Sequence, residues 1–145
     1  MSKPDYVYVT YIATTPQKLW QALVDTEITR QYWFEHINVS DWNPGSRWEH
    51  QRTDEAKTLD VIGTVIEVNP PDRLVVTWAR PKEFEDATKH ARLTFDIAPQ
   101  GDGLVRLTIT HEELDPEMLK AISGGWPKVL SNLKTFLETG RVLHF

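Results

Sequence analysis

DPEMLKAISGGWPKVLSNLKTFLET, residues 115–139, is the stretch that decides the fold. Its apolar side chains fall at Met118, Leu119, Ile122, Trp126, Val129, Leu130, Leu133, Phe136 and Leu137. Gaps of three and four follow one face of an α-helix. Ser123-Gly124-Gly125 is poor helix material, and Pro127 sits well only in a first turn. The expectation is therefore a short helix over Pro116–Ile122 and a long one from about Gly124 to Glu138. Ser123 would cap the long piece and Gly140 would stop it. At 1.5 Å per residue that piece spans roughly 22 Å. The residues before it, Leu74 to Thr108, read mostly as strand. Strands followed by one long amphipathic helix imply a sheet wrapped around a rod. Such a sheet is hard to fill at its mouth, so a pocket is expected between sheet and helix.

Working outward, Leu104–His111 places Val105, Leu107, Ile109 and His111 on an apolar face. His90–Ile97 alternates in the same way, with Ala91, Leu93, Phe95 and Ile97 inward. Arg80–Lys89 is a charged loop, and Leu74–Trp78 a strand. Leu59–Val68 is another strand, but both of its faces are partly apolar and parity leaves its inward side open. Arg47–Arg52 is a strand with Trp48 and His50 on one face. Tyr6–Ala13 is a first strand. Two helices follow it: one opened by Thr15-Pro16 with Leu19, Trp20, Leu23 and Val24 inward, and one over about Glu27–Trp33. Turns are read at Trp42–Gly45, Thr53–Lys57, Asn69–Asp72 and Pro99–Gly103. The fold class is α+β, with an antiparallel sheet of about six strands and one domain over 1–145.

Composition narrows the functional classes. The 145 residues carry a net charge of -5 with no basic block, which argues against nucleic-acid binding. There is no cysteine, hence no disulfide, thiol catalysis or cysteine metal site. MSKPDYVYVT lacks the features of a signal peptide, and no apolar run approaches the roughly 20 residues of a membrane span. The expected location is the cytoplasm. Six tryptophans, Trp20, Trp33, Trp42, Trp48, Trp78 and Trp126, serve either a core or the wall of an apolar pocket.

Five segments in order carry a resemblance. They are Thr15-Pro16-x-x-Leu19-Trp20-x-x-Leu23, Arg30-Gln31-Tyr32-Trp33, Asp41-Trp42-x-Pro44-Gly45-Ser46-x-Trp48, the run from Gly63 to Trp78 with Pro70-Pro71, and Gly125-Trp126-Pro127 through Gly140. Together they resemble the START-like, or SRPBCC, superfamily, in its bacterial branch named after the activator of the heat-shock-ninety ATPase. The resemblance implies a helix-grip fold with a hydrophobic cavity between sheet and long helix. It implies no single activity, since members include ligand carriers, cyclase-like enzymes and a co-chaperone relation. One departure is Glu35-His36, where relatives often place glycine, at what would be the pocket mouth.

No catalytic motif stands out. His36, His50, His90, His111 and His144 show no metal-ligand spacing, and there is no nucleophile elbow, phosphate loop or dinucleotide fingerprint. No cofactor, metal or catalytic residue is expected. The ligand-binding candidates are Trp33, Trp48, Trp78, Phe95, His111, Trp126 and Leu130. His111 reads either as a polar handle in the pocket or as a core-edge histidine bonded to backbone. His50 reads as a pocket group or a solvated strand residue. Arg92 and Arg106 are expected to pair with acids such as Asp96 on the outer sheet face. Glu112-Glu113 and Glu83-Phe84-Glu85-Asp86 are solvated loops or the rim of an entrance. The leading reading is binding of a small hydrophobic molecule, lipid-like or flat and aromatic. The alternatives are a cyclase- or hydratase-like enzyme, which would need two titratable groups converging in the cavity, and an interaction protein that modulates a chaperone ATPase.

Overall fold

The computed structural model describes residues 5–145; the first four residues of MSKPDYVYVT lie outside the described residues. The elements run β1 (Tyr6–Ile12), α1 (Pro16–Val24), α2 (Thr26–Tyr32), β2 (His36–Ser40), β3 (Arg47–Arg52), β4 (Leu59–Asn69), β5 (Arg73–Trp78), β6 (Ala91–Pro99), β7 (Val105–Glu112) and α3 (Pro116–Thr139). The seven strands form one antiparallel sheet in the order β1-β7-β6-β5-β4-β3-β2. This is the helix-grip arrangement, with one strand more than expected. The extra strand is β2. It is short, and Ile37 and Asn38 are both buried, so no clean alternation marks it.

The helix starts follow side-chain chemistry. Thr15 accepts from the Lys18 amide, Asp25 from that of Ile28 and Asp115 from that of Met118. Gly140 ends α3 at φ 77, which costs glycine nothing.

The expected break in α3 is absent: Pro116–Thr139 is one helix of 24 residues. The reason is packing. Two interior glycines cost about 1 kcal/mol each, and the interior Pro127 about 3 kcal/mol. Burial of Ile122, Trp126, Val129 and Leu130, all under a tenth exposed, is worth about 1.5–3 kcal/mol per large side chain. The continuous stripe therefore outweighs the local preference. Leu130 and Leu133 are buried against the sheet as expected.

In β4, Val61 and Val65 join the core, and beyond Val65 the register with β5 shifts. The bulge moves the core-facing parity from odd residues to Val68. That is why parity alone could not orient the strand. On the outer face, Asp96 pairs with its cross-strand neighbour Arg73 at 2.8 Å, in place of the expected Arg92 or Arg106. The two nearest acidic groups of the 80–89 loop are internal fasteners. Glu83 holds Arg80 and Lys89, and Asp86 caps the turn at Thr88.

The free edge of β1 is tied to the end of α3. Lys134 donates to the Tyr11 carbonyl at 2.6 Å, and the Ala13 amide donates to Glu138 at 2.7 Å. At the other end of α3, Arg80 makes a two-pronged bond to Asp115. Asn132 fastens the middle, donating to the Tyr32 carbonyl and accepting from the Leu143 amide.

Candidate functional site

The N-terminal half of α3 leaves space against the sheet. Trp33, His50, Trp78, Ala121, Ile122, Gly125, Trp126 and Val129 line a cavity of about 180 Å³. A second hollow of about 220 Å³ adjoins it, sharing Trp78, Ala121 and Ile122 and adding Asp60, Val61, Arg80, Glu117 and Met118. Gly125 makes room for the first: a Cβ there would meet nothing within 4 Å.

The walls come from four elements. Trp33 follows α2, Trp78 ends β5, Trp126 sits on α3 and His50 on β3. Trp126 meets Trp33 edge-on at 5.5 Å between ring centres and Trp78 at 5.9 Å. His50 stands 5.1 Å from Trp33 and 6.2 Å from Trp78. Offset and edge contacts of this kind fix rings beyond their simple burial.

Of the seven candidate residues, Trp33, Trp78 and Trp126 reach the cavity. Trp48, Phe95, His111 and Leu130 do not line it; the first three back its walls, and Leu130 lies in the core. Phe95 meets Trp126 edge-on, and Trp48 packs on Trp78. Trp48 donates through Nε1 to the Thr77 carbonyl at 2.7 Å. That bond passes directly over Gly63, where any Cβ would overlap both partners.

His111 is fully buried behind Trp78, which it meets edge-on at 5.0 Å. Its Nδ1 accepts from Trp126 Nε1 at 3.2 Å, which fixes the proton on Nε2. Among the described residues that Nε2 has no hydrogen-bond partner. Neither backbone bonding nor cavity exposure describes it. It orients the Trp126 indole and carries an unpaired N–H, an uncommon burden for a buried group. Burial pushes its ring down to about 3.

His50 is buried, not solvated, because β2 pairs along the edge of β3 and sets Asn38 and His36 beside the ring, while Trp33 and Trp78 pack against it. Its Nδ1 meets Asn38 Oδ1 at 2.6 Å. Its ring stacks on His36 at 4.5 Å with the planes 5° apart. His36 in turn bonds the Phe34 carbonyl and Asp60, which also accepts from Arg52. Burial, and then the neighbouring His36, push the His50 ring down to about 3. Burial raises the Asp60 carboxyl, but the bonds from Arg52 and His36 outweigh it and hold the group below the usual carboxylate range. Phe34 and Glu35 have φ of 44 and 61, the left-handed region where glycine is at ease. Keeping two bulkier residues there presents His36 to His50.

Asn38, Ala121 and Gly125 are site residues that sequence reasoning missed, and sequence alone leaves His50 between a pocket group and a solvated strand residue. The shared parity of Trp48 and His50 was a usable signal. The glycine pair was another, since a helix glycine with no cap to form leaves room beside it.

Residues 13–138 match the family described as Activator of Hsp90 ATPase homolog 1-like protein. The chain belongs to this family. No curated protein matches it. Among solved structures, an HSP90 activator from Plasmodium falciparum superposes with a TM-score of 0.76 at 15% identity, over 92% of this chain and 95% of that one. CalU16 from Micromonospora echinospora does so with a TM-score of 0.72 at 18% identity, over 94% and 77%. A protein of Cytophaga hutchinsonii gives 0.73 at 25% identity, over 94% and 95%. For the activator and CalU16 the likeness is one of fold. As a member of the Hsp90-activator-like family, the chain has the sheet and gripping helix of these relatives. Among its described residues no helix is long and apolar enough to cross a membrane.

Proposed function

We propose that the chain works as one cytoplasmic domain that binds a small, flat, apolar molecule between α3 and the sheet. The observation that carries this is the cavity wall: Trp126 in ring contact with both Trp33 and Trp78 around a partly open apolar space, with His50 as the one titratable side chain lining it. Size selects among hydrophobic ligands. An apolar cavity of about 150 Å³ accepts benzene, whereas drug- or lipid-sized sites run to roughly 300–1,000 Å³. At about 180 Å³ the first cavity by itself suits one ring, or a compact pair. His50 is the one titratable side chain lining this cavity, with His36 stacked beside it and outside the lining, and this favours binding over turnover, since acid–base catalysis needs groups acting together on the substrate.

The test is a screen of one- and two-ring aromatics read by tryptophan fluorescence and by amide shift mapping. Binders should perturb Trp33, His50, Trp78 and Trp126. Binders that leave all four unmoved would place the ligand elsewhere.

A second reading, modulation of a chaperone ATPase, is supported by the family and by one surface. Val7, Val9 and Tyr11 stand 59%, 47% and 48% exposed along the outer face of β1. Apolar side chains grouped on a surface mark interaction sites. Adding the protein to an Hsp90 ATPase assay should change the rate, and Val9→Asp should abolish the change. No change with the wild-type chain would remove this reading.

A further inference from the structure

The cavity carries more than an apolar volume, because His50 enters it in a fixed protonation pattern. Asn38 Oδ1 accepts and cannot donate, so the 2.6 Å contact requires the proton on His50 Nδ1. The Asn38 main chain is itself held: its backbone N–H donates to Thr29 Oγ1 at 3.1 Å, and its backbone carbonyl accepts from Thr26 Oγ1 at 2.9 Å. The His36 ring lies flat against His50 at 4.5 Å, so the imidazole has little room to turn over. With Nδ1 committed, Nε2 keeps its lone pair. Among the described residues it has no hydrogen-bond partner, and its ring borders the cavity.

We infer that the cavity selects aromatic molecules bearing a neutral hydrogen-bond donor, a phenolic O–H or a ring N–H, which His50 Nε2 accepts. This rests on the proposed binding function and deepens it. A benzoate is disfavoured twice: its charge would be buried among tryptophans, and its oxygens would face a lone pair. An ether such as anisole fits the walls but leaves Nε2 unpaired.

The tests use phenol, indole, anisole, toluene and benzoate, titrated into the full chain by calorimetry. The His50 side-chain nitrogens are followed by ¹⁵N NMR. Phenol and indole should bind about 2- to 10-fold more tightly than anisole and toluene, the range of one neutral hydrogen bond. Benzoate should not bind, and the Nε2 resonance should move on adding phenol but not toluene. His50→Phe should bind phenol and toluene equally. Asn38→Leu, which frees the tautomer while leaving His50 in place, should reduce the preference for phenol, and circular dichroism shows whether each variant is folded. Equal binding of phenol and anisole to the wild-type chain, with both perturbing the tryptophans, would overturn the donor inference and leave the cavity reading intact. No binding of any of the five would overturn both.

Discussion

The two halves of α3 do different work with the same stripe. From Leu130 onward the helix carries bulky apolar residues into the core and is tied to β1 through Lys134 and Glu138. Before Leu130 it turns Ala121, Ile122 and Gly125 toward open space, and Trp126 toward a ring of aromatic residues. One half is built to be filled and the other to stay partly empty. The difference lies in side-chain volume, not backbone, since the helix runs through both without a break.

The largest expected effect lies in the filled half. Leu133→Ala should cost about 2–5 kcal/mol, because a fully buried side chain leaves a cavity in a closed region. Ile122→Ala should fall at the bottom of that range, since space already adjoins it. Urea midpoints measure both; equal losses would erase the distinction between halves.

Acid should act on the emptier half. The His50 and His111 rings titrate near 3 when folded and near 6.5 when unfolded. Between these values the unfolded chain binds more protons, so stability rises with pH there. It is complete above about 6.5 and lost as pH falls toward 3, by about 1.4 kcal/mol per unit for each ring. Between pH 6.5 and 5 these two rings should set the slope, and the His50→Phe, His111→Leu double variant should flatten it. An unchanged slope would show that the rings are solvated.

Gly125→Ala sharpens the comparison by moving two quantities in opposite directions. Helix propensity should raise stability by about 0.5–1 kcal/mol, since the added methyl meets nothing. Binding of phenol should weaken, because that methyl stands in the cavity. The smallest effect belongs to Glu138→Gln. It loosens an exposed ion pair worth roughly 0–1 kcal/mol and leaves ligand-induced tryptophan fluorescence unchanged.

Much of the frame was legible because each of its signals is local. The alternation of β6 and β7 and the stripe of α3 depend on nothing distant. The failures have a common cause in long-range packing. Gly124-Gly125 reads as a break until the sheet against Ile122 and Trp126 is known. Asp96 takes Arg73 because register, invisible in composition, sets them opposite each other. At the site, Trp33, Trp78 and Trp126 followed from parity and position. His50 did not, since only β2 folding beside β3 buries it, and β2 has the weakest pattern of the seven strands. His111 was placed on the correct face, but its bond to Trp126 depends on a rotation of the indole that sequence does not encode.

Gly63 has no side chain, yet it determines where one tryptophan stands. Trp48 occupies the volume that a Cβ would need, and its bond to Thr77 crosses that gap. Trp48 supports Trp78, and Trp78 forms the cavity wall. For anyone reshaping this pocket, the adjustable positions are therefore the visible ones, such as Gly125 and Ile122. The fixed point is a residue that touches no ligand: even a methyl at Gly63 would displace the indole and, through it, the wall being redesigned.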